Sequence, residues 1–143
     1  QDIEVWIGAT APAAINRTAR LAEGWLGTPS STPQQAKEQL NQYRQACAEH
    51  QRKPSAVALR RDIFIGASVR EAEEFRSHAV AKGYRGFPEH ALICGDISQV
   101  ATQFAELFEA GFTDIIVRNM ASDQGQALAT IEALSDVKRQ LRL

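Results

Sequence analysis

Three small residues in a row, Gly8-Ala9-Thr10, follow the apolar run Val5-Trp6-Ile7 and lead directly into Pro12-Ala13-Ala14. A strand that ends in such a turn and passes at once into a helix presents unpaired backbone N–H groups at the positive end of the helix dipole. That is a place for a phosphate. Gly8 and Ala9 let another group approach the backbone, and Thr10 adds a hydroxyl. Pro12 falls in the first helical turn, where its missing N–H costs nothing. The other reading of these residues is an ordinary strand-to-helix turn in which Thr10 caps the helix.

Arg118, directly after Ile115-Ile116-Val117, is the best placed charged residue for a phosphate or substrate carboxylate, because a guanidinium holds such groups bidentately. The alternative is a surface arginine paired with Asp123 or with solvent. The cysteines, Cys47 and Cys94, are far apart and show no metal-ligand spacing. Cys47 reads as core filler on a helix face, and Cys94 as core filler at a strand-to-helix junction. This cysteine usage suits a reducing, cytoplasmic setting. His50, His78 and His90 fall at helix ends or in loops and read as solvated. The chain carries no nucleophile elbow, no Walker loop, no carboxylate pair at a strand end and no metal-binding pattern.

With 16 Lys and Arg against 17 Asp and Glu, the net charge of -1 supplies no reason to expect nucleic acid or an anionic membrane surface as a partner. No stretch approaches the roughly 18 uninterrupted apolar residues of a membrane helix, and no charged-then-apolar leader opens the chain. The 143 residues, 44% hydrophobic, are enough for one compact domain over 1–143. Beginning at Gln1 without a Met, the sequence reads as an excised piece.

The elements that must carry these residues are legible from their starts. Thr32-Pro33-Gln34-Gln35, Ser68-Val69-Arg70-Glu71, Asp96-Ile97-Ser98-Gln99 and Asp123-Gln124-Gly125-Gln126 all fit the capping box. The helices behind them place Ala36, Leu40, Tyr43 and Cys47, then Ala72, Phe75 and Ala79, then Val100, Phe104 and Leu107, on their buried sides. Leu128, Ile131 and Leu134 mark the last. Strands are expected at Ile3 to Ile7, Gly24 to Leu26, Val57 to Ile65 and Thr113 to Val117, and a loop at Tyr84 to Leu92. Short apolar runs alternating with helices predict an α/β fold of parallel βαβ units. Within Val57 to Ile65 the charges of Arg60, Arg61 and Asp62 must be paired or point past the sheet edge.

This order is half of an eight-stranded barrel, in which the residues just past the strand ends line one face. They are Gly8, Ala9, Thr10, Gly27, Thr28, Gly66, Ser68, Arg118 and Asn119.

The stretch VWIGATAPAAINRTARLAEGWL, from Val5 to Leu26, resembles a segment of the luciferase-like flavin oxidoreductases and monooxygenases. Ile93-Cys94-Gly95-Asp96-Ile97-Ser98-Gln99-Val100 is similar to that family's "IGTPEQV" helix entry, and Ala110-Gly111-Phe112-Thr113-Asp114-Ile115-Ile116-Val117 to its "AGVDHLIL" final strand. The three motifs occur in the family's order and cover almost the whole chain. At Ala9 and Thr10 the family more often has Gly and Ser, which keeps the hydroxyl and changes the turn. The resemblance implies the C-terminal half of a (β/α)8 TIM barrel, equivalent to its strands 5 to 8. It implies that Gly8, Ala9 and Thr10 face the ribityl phosphate of reduced flavin mononucleotide (FMN) or of a deazaflavin coenzyme. Trp25, flanked by Trp6, could lie against the flavin ring or simply pack the core.

The implied activity is oxidation or reduction of a small organic substrate, with a flavin reductase as a possible partner and the catalytic residues outside this piece. The fragment alone is then expected to be inactive. Its open edge strands need the missing N-terminal half-barrel or a second copy in a homodimer. Two alternatives stand beside this reading: a noncatalytic flavin-binding or assembly module, and a small phosphosugar-binding α/β domain.

Overall fold

A computed structural model describes residues 3–141, which alternate strand and helix throughout. The chain runs through β1 (Trp6–Gly8), α1 (Pro12–Leu21), β2 (Gly24–Gly27), α2 (Pro33–Glu49), β3 (Ala56–Ile65) and α3 (Val69–Ala81). It continues through β4 (Leu92–Gly95), α4 (Ile97–Ala110), β5 (Asp114–Asn119) and α5 (Gln124–Leu141). The described residues fall into two compact units, Gln1–Arg60 with Phe108–Ile116 and Arg61–Leu107 with Val117–Leu143. Strands β3 and β5 run from one unit into the other.

In the first unit β1 pairs with β2, and β2 with the start of β3, all parallel and in the register Trp6↔Gly24↔Ala56. The first strand is shorter than the expected Ile3 to Ile7. Because β2 is only four residues long, the ladder begins at Trp6. The Val5 carbonyl instead accepts the N–H groups of Glu23 and Gly24. Parallel pairing then brings α1 and α2 over the sheet. The α2 stripe is buried as its spacing predicts, with Ala36, Leu40, Tyr43 and Cys47 all inside. Tyr43 and Phe112 stack on Trp25, ring centroids 5.4 and 6.3 Å away.

In the second unit the far half of β3 pairs in parallel with β4, Asp62↔Leu92 through Ile65↔Gly95. Strand β4 corrects the sequence reading, which placed a loop from Tyr84 to Leu92. Two single-turn 3-10 segments, Tyr84–Gly86 and Glu89–Ala91, fill most of that stretch, and Leu92 already belongs to the strand. Leu92–Gly95 is a strand because β3 continues past the end of β2 and offers an edge. Phe64 stacks on Phe75 at 3.9 Å between nearly parallel rings, over a core of Ala72, Tyr84, Ala91, Leu92 and Cys94.

The helix starts follow the sequence. Thr32 and Gln35 form a reciprocal capping box, with the Gln35 N–H donating to Thr32 Oγ1 at 3.0 Å and the Thr32 N–H to Gln35 Oε1 at 2.9 Å. Asp96 and Gln99 reciprocate likewise. At Ser68 the hydroxyl accepts from the Glu71 N–H, while the Glu71 carboxylate reaches one residue further back, to the Ala67 N–H. Asp123 accepts from the Gln126 N–H. The exception to the expected faces is α5. Thr130 and Val137 are its buried residues, whereas Leu128 and Ile131 are 52% and 55% exposed. Its expected apolar stripe is therefore largely bare of neighbours within this chain.

Candidate functional site

The turn after β1 is built from both sides of Ala9. Its N–H donates to the Leu26 carbonyl at 3.4 Å, and its carbonyl accepts the Trp25 indole N–H at 2.9 Å. With Ala9 tied to β2 and buried, Gly8 and Thr10 on either side are exposed. Thr10 does not cap the helix: the N-cap is Ala11, in extended conformation, with Pro12 next and no side-chain bond to the first turn. The N–H groups of Ala13 and Ala14 thus lie at a helix start that no side chain caps. Helices α2 and α3 begin with a side-chain cap.

Gly8 differs from its neighbours in what its missing side chain makes room for. A Cβ at Gly24 would meet the Trp6 ring at 2.7 Å, and one at Gly27 would meet Leu59 at 2.8 Å, so packing inside the chain demands those glycines. At Gly8 the nearest atom is 3.8 Å away. The space there is open to a group from outside, which is what a phosphate cradle requires.

Trp25 has no exposed surface. Enclosed by Tyr43 and Phe112 and bonded to Ala9, its ring has no face left for a flavin. It acts on the turn from within the core. Trp6 is 37% exposed and lies beside Gly24. Thr28, past β2, turns inward on its own loop, bonding the Ser30 hydroxyl and accepting from Ser31.

The remaining strand-end residues belong to the second unit. Gly66 donates its N–H to the Gly95 carbonyl at 3.0 Å. Asn119 closes the turn into α5, its side chain bonding the Ala127 carbonyl and the Ala121 N–H. Arg118 sits inside β5 and not after it. Its partner is not Asp123, which caps α5. Instead, Arg118 Nη1 lies 3.6 Å from Asp62 Oδ2. The same oxygen is 3.4 Å from Arg85 Nη1 and from the Tyr84 hydroxyl, which donates to it. Asp62 is fully buried, while the Arg85 and Arg118 side chains remain 44% and 46% exposed.

Of the charges inside β3, Asp62 is thus paired, through residues 23 and 56 positions away. Burial lowers the pKa of Arg61, and the Tyr84 and Asp62 oxygens oppose that shift.

Tyr84 and Arg85 have φ of 30° and 57°, between Gly83 at 81° and Gly86 at 73°. Two non-glycine residues held in left-handed backbone cost of order 1–3 kcal/mol each. The buried Tyr84 ring, its bond to Asp62 and the stacking of Arg85 over Phe87 at 4.8 Å hold them there. Sequence inspection missed this cluster; the signal available was the demand that Asp62 be paired.

The thiols are inert core groups. Burial pushes Cys94 up to about 11, from 9.0, and raises Cys47 for the same reason. Desolvation also raises Tyr43 and Tyr84. A thiol with a raised folded pKa keeps its proton where the unfolded chain has lost it, so the unfolded state binds fewer protons and stability falls with rising pH. Urea midpoints should be level up to about pH 8 and fall between about 9 and 11, each thiol contributing at most roughly 1.4 kcal/mol per pH unit. A midpoint unchanged to pH 11 would show the thiols to be solvated.

Among the described residues no group of three or more His, Cys, Asp or Glu side chains could hold a metal ion. No helix among them is long and apolar enough to cross a membrane.

Parallel βαβ units in one sheet are the architecture of half of a (β/α)8 barrel. Solved structures bear this out. The chain aligns with a monooxygenase from Streptomyces bottropensis at TM-score 0.78 and 16% identity, over 98% of this chain and 48% of that one. It aligns with the coenzyme F420 dependent tetrahydromethanopterin reductase of Methanopyrus kandleri at 0.66 and 19%, over 90% and 49%. A third match is the oxygenating constituent of 3,6-diketocamphane monooxygenase from Pseudomonas putida in complex with FMN. There the TM-score is 0.69 and the identity 16%, over 92% and 47%. The chain spans about half the length of these structures. Comparison with curated proteins found no match. The family model of the luciferase-like monooxygenases matches residues 1–93, and the chain belongs to that family.

Proposed function

We propose that this chain is the C-terminal half-barrel of an oxidoreductase that works with FMN or a deazaflavin coenzyme on a small organic substrate. The turn Gly8-Ala9-Thr10 and the first turn of α1 form the seat of the cofactor's phosphate end. The observation that carries this is the helix start at Ala11, without a side-chain cap and beside a glycine whose open side this chain does not fill. Relatives that use FMN or coenzyme F420 support the cofactor class.

Thr10 offers a hydroxyl to a phosphate oxygen, and the N–H groups of Ala13 and Ala14 offer charge-assisted donors. Ala13 has no side-chain donor of its own. Trp25 holds Ala9, and so the turn, in place. A bound reduced flavin supplies the redox chemistry, and the protein binds and orients it. A separate flavin reductase is the proposed source of the reduced form in the monooxygenase version.

The substrate-facing groups come from the other half of the barrel, and this piece alone is inactive. Ile3, Val5 and Trp6 leave apolar surface bare beside β1, which among the described residues pairs with β2 alone. The missing strands are what that edge accepts.

The test is cofactor titration of the complete barrel. Thr10→Ala should weaken FMN binding by about 1–2 kcal/mol and leave riboflavin, which lacks the phosphate, almost unchanged. Equal losses for both ligands would place Thr10 away from the phosphate.

A further inference from the structure

The second unit contains a cavity of about 280 Å³ that the flavin reading does not use. Its apolar lining is Phe75, Ala79 and Met120, and its polar lining includes Lys82, Arg85 and His78. No acidic side chain lines it among the described residues. The carboxylate that pairs with Arg85, Asp62, is fully buried, and its single charge is shared with Arg118. Arg85 and Arg118, half exposed, therefore present more positive charge than Asp62 neutralises, and Lys82 adds another. The left-handed backbone at Tyr84 and Arg85, together with the stacking on Phe87, keeps the Arg85 guanidinium at this place instead of free in solvent.

We propose that this cavity binds a small organic carboxylate, with the carboxylate between Lys82 and Arg85 and an apolar body on Phe75, Ala79 and Met120. The volume lies just below the usual range of drug-sized ligand pockets, so the occupant must be small. A bare inorganic anion would leave the apolar lining wet. A neutral hydrocarbon chain would leave Lys82, and the part of the Arg85 charge that the shared Asp62 does not offset, without a counter-charge. Methionine adapts to the shape of what it covers, so the lining tolerates an alkyl or an aryl body. The Gly8–Thr10 turn takes no part, so the site stands or falls independently of flavin binding.

The probe is octanoate, with n-octanol as its neutral counterpart and acetate as its head group alone, titrated by calorimetry and by two-dimensional NMR of the folded chain. Octanoate should bind saturably, at least about tenfold tighter than octanol or acetate, and shift the resonances of Phe75 and Met120. Lys82 is exposed at the end of α3, so Lys82→Glu should fold normally and weaken octanoate at least about tenfold. Arg85→Ala should weaken it similarly, with the melting temperature reporting any loss of the Asp62 cluster. No saturable octanoate binding, equal binding of octanol, shifts confined to other residues, or undiminished affinity in a folded Lys82→Glu protein would each overturn the proposal.

Discussion

Asp62→Ala should destabilise the chain by about 3–5 kcal/mol, because removing one member of a buried charge cluster leaves its partners desolvated without compensation. The effect should far exceed that of removing a single arginine. Arg85 and Arg118 are nearly half exposed and can turn to water, so Arg118→Ala should cost about 1 kcal/mol or less. Arg61, 2% exposed, and the Tyr84 hydroxyl cannot do the same. The Asp62 charge offsets part of the desolvation of the first and accepts the hydrogen bond of the second. Urea melts of both variants at neutral pH measure the difference. If Asp62→Ala loses less than about 1 kcal/mol, the carboxylate is not what organises this end of β3. Asp62→Asn should fall between the two, since it keeps an acceptor for Tyr84 while losing the charge.

Trp25→Ala should cost about 3–5 kcal/mol, the range for deleting a large aromatic side chain from a core. It removes the ring that Tyr43 and Phe112 enclose and also releases the Ala9 carbonyl. Trp25→Phe separates these two roles. It keeps most of the packing and removes only the N–H donor, at about 1 kcal/mol. In the complete barrel this milder variant should also reduce the preference for FMN over riboflavin, because the turn loses its anchor on that side. Urea melts give the first number and ligand titrations the second. A Trp25→Phe protein with unchanged stability and unchanged preference would show that the indole bond positions nothing.

Helix starts and the α2 face were legible locally. A capping box lies within four consecutive residues, and the stripe of Ala36, Leu40, Tyr43 and Cys47 needs only helical spacing. The turn at Gly8-Ala9-Thr10 was legible for the same reason. Its residue types restrict the local backbone, and its place between an apolar run and Pro12 marks the junction. What local pattern could not supply was the cap itself. Thr10 has the right chemistry for an N-cap, yet the helix starts one residue later because Ala9 is tied at both its N–H and its carbonyl to β2.

The sequence by itself determined the alternation of strand and helix, the half-barrel, the family and the small-residue turn before α1, since each rests on residues close together in the chain. Tertiary structure alone decided the roles of Trp25 and Arg118. Whether an indole faces a ligand or a core depends on what packs on it, here Tyr43 and Phe112, and whether a guanidinium is free depends on where a carboxylate lies. Asp62, Arg85 and Arg118 meet because parallel pairing sets β3 beside β4 and β5 across long connections. The short strand Leu92–Gly95 exists for the same reason: β3 runs on beyond β2, and its edge there gives the backbone groups of Leu92–Gly95 their partners.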